Sequence, residues 1–179
     1  MPRHIALLRG INLGSHNRVS MPDLRELLDG HGHKDVVTLV QSGNIVLTSR
    51  LSPKRLERDL QKQIADGLGV DTPVVVRTRD ELADAIARDP LGDLVDNPKL
   101  YQVTFLAEEP SPEVARELAE VDVAPERLVL SGRELYTWHP GGIQRSKVDR
   151  LRTMKRLPTG TARNWNTVTK LLELADAGG

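Results

Sequence analysis

Short apolar runs alternate along this chain with stretches of helical spacing, and together they predict most of its elements. His4 to Arg9 fits a buried strand, and the aperiodic polar stretch Asn12 to Ser20, with Gly14 inside it, reads as a loop. Ser20-Met21-Pro22-Asp23 has the spacing of a capping box with proline in the first turn. Leu24, Leu27 and Leu28 continue as a helix that Gly30 and Gly32 end. Val36 to Val40 and Ile45 to Thr48 flank Ser42-Gly43 as a hairpin. Ser52-Pro53 opens a second helix with Leu56, Leu60 and Ile64 on one face, and Thr72 to Arg77 closes the segment as a strand. Residues 1–78 therefore read β-α-β-β-α-β, the split arrangement of a ferredoxin-like domain in which two helices cover one face of a four-stranded antiparallel sheet.

Thr78-Arg79-Asp80-Glu81 is a further capping box, so residues 79–99 read as a linking helix through Leu82 and Ile86, followed by a loop from Pro90. Residues 100–179 repeat the theme more loosely. A strand at Leu100 to Leu106 precedes a helix opened by Ser111-Pro112, and strands near Leu128 and Leu135 flank Ser131-Gly132. The likeness of Gln41-Ser42-Gly43-Asn44 to Leu130-Ser131-Gly132-Arg133 reads as the trace of a duplication. Ser146 to Leu157 is expected as a basic helix with Val148, Leu151 and Met154 inward. A last helix, capped at Asn164, buries Trp165, Val168, Leu172 and Ala175. The expected fold class is α+β, with two ferredoxin-like subdomains, the second incomplete or diverged, and a C-terminal helix packed on the core.

Composition narrows the function classes. Phe105 is the sole phenylalanine and aromatics make up 3% of the chain, so single-stranded nucleic acid finds few stacking platforms. Twenty-five basic residues balance 25 acidic ones, which removes any global field toward DNA, RNA or a membrane. The local balance differs: Ala107 to Glu126 is acidic and Arg145 to Arg163 basic. These are either solvated faces that attract each other or, for the basic run, one wall of an anion site. With no cysteine there is no disulfide, thiolate or Cys-based metal site, and His31-Gly32-His33 lacks a third ligand nearby, so no metal and no cofactor are expected. No signal peptide or membrane-length apolar run is read, so the expected location is cytoplasmic.

Three polar clusters stand apart from the scaffold: Arg9-Gly10-Ile11-Asn12, Gln41-Ser42-Gly43-Asn44 and Thr161-Ala162-Arg163-Asn164-Trp165-Asn166-Thr167. Gly10 to Ser15 follows a strand but lacks the lysine and spacing of a nucleotide-binding loop. Taken in order with Met21-Pro22-Asp23-Leu24-Arg25, the three clusters resemble the signature of the bacterial domain-of-unknown-function family 1697, with Ser15-His16 departing from the small residues of its first loop. The resemblance implies a cytoplasmic α+β protein with two ferredoxin-like subdomains, and implies no established activity, cofactor or catalytic residue.

Read from the residues themselves, Arg163 at a helix start is an anion site, because the dipole and the unpaired N–H donors both favour phosphate or carboxylate. The expected ligand set is Arg9, Asn12, Gln41, Asn44, Arg163 and Asn166, serving a small anionic or nucleotide-like ligand or a polar partner segment. Against it stands the use of Asn and Gln for turns and caps, and the pairing of Arg163 with a carboxylate such as Asp149. Two alternatives remain: an enzyme acting on a phosphorylated or carboxylated metabolite with His139 as acid/base, and weak nucleic-acid binding through the basic helix 146–157.

Overall fold

The structure, a computed structural model, describes residues 1–178 and divides into two units, Met1–Asp84 with Lys170–Gly179, and Ala85–Thr169. The first unit runs β1 (Arg3–Leu8), α1 (Met21–Gly30), β2 (Lys34–Leu39), β3 (Asn44–Thr48), α2 (Pro53–Leu68) and β4 (Val74–Thr78). Its strands form one antiparallel sheet of order β2-β3-β1-β4. One sheet face carries Ala6, Leu8, Ile45, Leu47, Val74 and Val76, packed into one core with Leu24 and Leu28 of α1 and Leu56, Leu60 and Ile64 of α2. Each fully buried leucine of this set contributes on the order of 2 kcal/mol. The opposite face, with Ile5, Leu7, Val46, Val75 and Arg77, is buried as well. Burial on both faces is why β1, β3 and β4 read as continuous apolar runs and not as alternations.

The second unit holds β5 (Tyr101–Leu106), α4 (Pro112–Glu120), β6 (Arg127–Ser131), β7 (Glu134–Trp138) and β8 (Gly160–Asn164), in a sheet of order β6-β7-β5-β8. Two further helices, α3 (Arg79–Arg88) and α5 (Trp165–Ala177), have residues assigned to both units. The capping box predicted at α3 is reciprocal: Glu81 N donates to Thr78 Oγ1 at 3.1 Å and Thr78 N to Glu81 Oε2 at 2.8 Å. The Ser20 and Ser111 hydroxyls cap α1 and α4 by accepting from Asp23 N and Val114 N.

The sheets are register-matched copies. Ile5 lies opposite Val46 and Arg77, and Val103 lies opposite Tyr136 and Arg163. Leu8 N donates to Gly43 O, and Leu106 N to Arg133 O. This register makes Gly43 the counterpart of Arg133, so the two Ser-Gly turns compared in the sequence are offset by one residue. The first hairpin also carries two more residues at its tip, because Leu39 pairs with Asn44 where Ser131 pairs with Glu134. Topology and register are the evidence for the internal repeat.

Two sequence expectations change. The basic helix 146–157 does not form: the segment is short 3-10 turns at Ile143–Arg145, Val148–Arg150 and Arg152–Arg156, with extended backbone at Ser146 and Leu151 between them. The Ser146 hydroxyl accepts from Val148 N at 3.1 Å, a local bond that competes with helical hydrogen bonding. Thr161-Ala162-Arg163-Asn164 is not a helix start but β8, the fourth strand that completes the second sheet. Thr161 and Arg163 are buried while Ala162 is exposed, an alternation of period two. Asn164 does cap α5, its Oδ1 accepting from Thr167 N at 3.0 Å. Within α5, Val168, Leu171 and Ala175 are the buried positions, with Leu172 half-buried.

Candidate functional site

In the first unit, β1 ends at Leu8 and the chain enters a loop whose shape requires left-handed backbone at Gly10, Asn12, Gly14 and Asn17, with φ of 65°, 54°, 64° and 49°. Asn12 organises it. Its Nδ2 donates to Val19 O at 2.9 Å and to Gln41 O at 2.7 Å, and its Oδ1 accepts from Val19 N at 2.9 Å. One carboxamide thus closes the loop on itself and ties it to the tip of the β2–β3 hairpin. Asn17 Nδ2 adds a bond to Gly10 O, and Thr72 Oγ1 donates to Arg9 O at 2.6 Å.

The hairpin tip is held from below by Asn44, fully buried, whose Nδ2 donates to Leu39 O at 2.9 Å and to Ser42 Oγ at 3.0 Å. Above it Val40 sits at φ +51°, a conformation that a β-branched residue adopts only at a cost on the order of 1–2 kcal/mol. Strain of this kind at an exposed tip marks a conformation imposed by its surroundings. Arg9, His16, Arg18 and Gln41 are exposed on this pair of loops. No acidic residue occurs between Arg9 and Ser20 or between Val40 and Gly43, so the two loops themselves carry charge of one sign, while exposed Asp71 adjoins Thr72, whose hydroxyl bonds Arg9 O.

Of the six residues expected to bind, Arg9, Asn12, Gln41 and Asn44 come together here, although the side chains of Asn12 and Asn44 are engaged by their own loops. Asn12 and Asn44 thus hold the two loops, and Arg9 and Gln41 are exposed to solvent. Arg163 and Asn166 belong to the second unit. Arg163 is buried in β8, not displayed at a helix start, and its Nη1 donates to Thr161 Oγ1 at 2.6 Å and Ala162 O at 2.9 Å. Burial lowers its pKa to about 10, which still leaves it charged at neutral pH. Asn166 is exposed in the first turn of α5. Trp165, half-buried, stacks on Tyr101 with ring centroids 4.8 Å apart.

Asn12→Ala is expected to cost roughly 1–3 kcal/mol, from three lost hydrogen bonds and an alanine forced to positive φ. Amide exchange should accelerate at residues 10–19 and 40–42 while the amides of β1 change less. Uniform acceleration across the unit would mean that Asn12 is not a local clamp.

His139 is buried next to β7, with Nε2 3.0 Å from Thr137 Oγ1. Desolvation by burial lowers its pKa, opposed by the charges of Asp149 and Glu126, and burial also lowers that of His4. Below about pH 6.5 the unfolded chain therefore binds more protons than the native one. The stability that rests on neutral imidazoles is complete above that pH and is lost as pH falls from it toward the lowered native values. The slope reaches at most about 1.4 kcal/mol per pH unit for each histidine. Urea midpoints at pH 7.5 and 5.5 should differ less in His139→Gln than in the unaltered protein; an unchanged difference would remove His139 from the account.

The remaining candidates are occupied. His31 Nδ1 lies 2.8 Å from Leu27 O and His33 Nε2 lies 2.9 Å from Gln63 Oε1. Among the described residues no cluster of three His, Cys, Asp or Glu is placed to hold a metal. The acidic and basic runs meet: Arg156 pairs with Glu117 at 2.6 Å and Glu113 at 3.2 Å, and Thr153 donates to Glu117. These contacts hold Glu117 below the usual carboxylate range and raise Arg156.

Sequence and structure comparisons place this architecture among known proteins. The model of the family "Protein of unknown function (DUF1697)" matches residues 1–136. The chain is a DUF1697 protein. The match takes in the first two polar clusters and ends before Thr161-Ala162-Arg163-Asn164-Trp165-Asn166-Thr167. A solved structure of a conserved bacterial protein from Streptococcus pneumoniae superposes with a TM-score of 0.78, covering 97% of this DUF1697 chain and 98% of its own, at 20% identity. At that identity the likeness carries the fold alone. No curated protein matches this sequence. No described helix is long and apolar enough to cross a membrane.

Proposed function

We propose that this DUF1697 protein is a cytoplasmic binding module whose first unit takes a small anionic or nucleotide-like ligand, or a polar partner segment, on the loop pair Arg9–Ser20 and Val40–Gly43. The observation that carries the reading is the clamp made by Asn12. It fixes two loops against each other before any ligand arrives, and these loops carry exposed Arg9, His16 and Arg18 and no carboxylate of their own. Loops ordered in advance lower the entropy cost of binding, and one-signed charge selects an anion. Arg9 and Arg18 are the charged contacts and Gln41 the directional one. Asn12 and Asn44 hold them in place.

Catalysis through His139 is the weaker reading, since an imidazole 1% exposed and bonded to Thr137 has no route to a metabolite. Nucleic-acid binding through residues 146–157 loses its helix, and Arg156 is engaged by carboxylates.

Thermal denaturation with phosphate, pyrophosphate, adenosine monophosphate and citrate tests the proposal. A ligand at a hundred times its Kd stabilises by about 2.7 kcal/mol, which raises the melting temperature by a few degrees. The rise should vanish in Arg9→Ala/Arg18→Ala and persist in Arg156→Ala. If no compound moves the melting temperature, or the double variant responds undiminished, the loop pair is not an anion site.

A further inference from the structure

The internal repeat shows how much of the loop pair the fold itself requires. After β5 the second unit reaches α4 in five residues, 107–111, whereas after β1 the first unit takes twelve, 9–20, to reach α1. Its hairpin tip is longer as well, by two residues. A sheet of corresponding strand order closes without these additions, so the sheet does not need them. They are nonetheless ordered. Asn12 N donates to Asn17 O at 3.0 Å and His16 N to Leu13 O at 3.4 Å, which folds the long loop into a small turn through Gly14, at φ +64°.

That loop and the hairpin tip each present one large apolar side chain to solvent, Leu13 at 69% exposure and Val40 at 54%. They are the chain neighbours of Asn12 and Gln41, which the clamp bonds to each other, so both are held in one small region of surface. Val40 carries the strain of a β-branched residue in left-handed backbone, and no burial within the chain offsets it. The exposed guanidinium groups of Arg9 and Arg18 have no hydrogen bond or ion pair among the described residues. Residues 13–18 and 40–42 are exposed without a break. Small molecules take concave sites that bury most of their surface, while a projecting, ordered surface suits a partner with surface of its own.

We propose that the loop pair docks an acidic segment of a partner protein, whose bulky apolar side chain covers Leu13 and Val40 while its carboxylates pair with Arg9 and Arg18. The inference rests on the loop-pair reading above and chooses its occupant. Phosphate or citrate satisfies the arginines and leaves the apolar pair in water. A second copy of this chain brings 25 basic residues with its 25 acidic ones, and so has no overall charge to match the arginines. An anionic membrane is drawn to clusters of roughly four to eight basic residues, where this loop pair has two arginines.

The test is panning of a random-peptide display library on the full chain, followed by fluorescence anisotropy with a synthetic peptide of the enriched sequence. Enriched peptides should combine carboxylates with a leucine, phenylalanine or tryptophan. Affinity should fall by about tenfold or more in Leu13→Ser/Val40→Asn, from lost apolar burial, and in Arg9→Ala/Arg18→Ala, from lost charged hydrogen bonds. Val40→Asn alone should leave the melting temperature unchanged or raise it, because asparagine accepts left-handed backbone. A fall of several degrees would make Val40 a support of the fold and overturn its role toward a partner. Enrichment of no such peptide, or undiminished affinity in Leu13→Ser/Val40→Asn, overturns the proposal. So does a dimer in sedimentation equilibrium, or binding to phosphatidylglycerol vesicles, that Leu13→Ser/Val40→Asn abolishes, since a second copy or a membrane is then the occupant. A phosphate-series melting shift lost in Arg9→Ala/Arg18→Ala, without an enriched acidic peptide, leaves the anion site standing and refutes this occupant; with neither response, both fall.

Discussion

Arg77→Ala lowers the stability of the first unit by about 3–5 kcal/mol, and Arg77→Met by less than half as much. Arg77 is fully buried in β4, opposite Ile5, with Nη1 donating to Val76 O at 3.2 Å. Truncation to alanine opens a cavity the size of the side chain and strands the groups that the guanidinium serves. Methionine refills the stem and leaves only the polar loss. Arg163→Ala is the matched experiment in the second unit. Arg163 stands at the corresponding register position, opposite Val103, and its Nη1 likewise donates to the carbonyl of the residue before it. All five aromatic residues, from Tyr101 to Trp165, lie in the second unit. Tryptophan fluorescence therefore follows Arg163→Ala, and far-ultraviolet circular dichroism is needed for Arg77→Ala. A cost below about 1 kcal/mol for both would mean that neither arginine is built into the fold.

Gly43→Ala should be nearly as damaging, at roughly 2–5 kcal/mol, and should also disable the loop pair. Gly43 lies at φ +84°, where a side chain costs about 1–2 kcal/mol. A Cβ there meets Leu8 Cβ at 2.7 Å and Ile11 Cδ1 at 2.8 Å. Neither is the far end of a flexible side chain in open space, since Leu8 and Ile11 are both buried in the core. Overpacking adds about 1–3 kcal/mol, so the hairpin tip must move away from β1. The tip carries Gln41, whose carbonyl accepts from Asn12, so the clamp opens with it. Urea denaturation measures the stability loss, and amide exchange at residues 10–19 measures the opening. Gly10→Ala is the control, with φ +65° and nothing within 4 Å of an added Cβ, so it carries the strain without the clash. If the two variants behave alike, contact with Leu8 and Ile11 is not what fixes the tip.

The helices and the first sheet were legible because their signals are local. Hydroxyl caps at Ser20, Thr78 and Ser111 and the spacing of Leu56, Leu60 and Ile64 depend on residues within a few positions of each other. Residues 146–157 misled because capping and apolar spacing also suit a string of 3-10 turns, and an extended Leu151 between them leaves no local mark. β8 was hidden for a related reason. Asn164 is a true cap, but the residues before it are drawn into the open edge of β5, a pairing across about sixty positions.

The candidate site shows the same division. Composition and spacing picked out Arg9, Asn12, Gln41 and Asn44, because asparagine, glycine and arginine gather where a loop needs positive φ and exposed charge. They also picked out Arg163, whose burial depends on which face of β8 turns inward.

By itself the sequence determined the α+β class, the caps, the turn at Ser42-Gly43 and the presence of three polar clusters, since each is a property of neighbouring residues. Only the tertiary structure decided that Asn12 bridges two loops 29 positions apart and that Arg163 is an interior residue with a counterpart in Arg77. The physical reason is sheet register. It joins residues remote in the chain, and a shift of one position would turn each of these side chains to the opposite face.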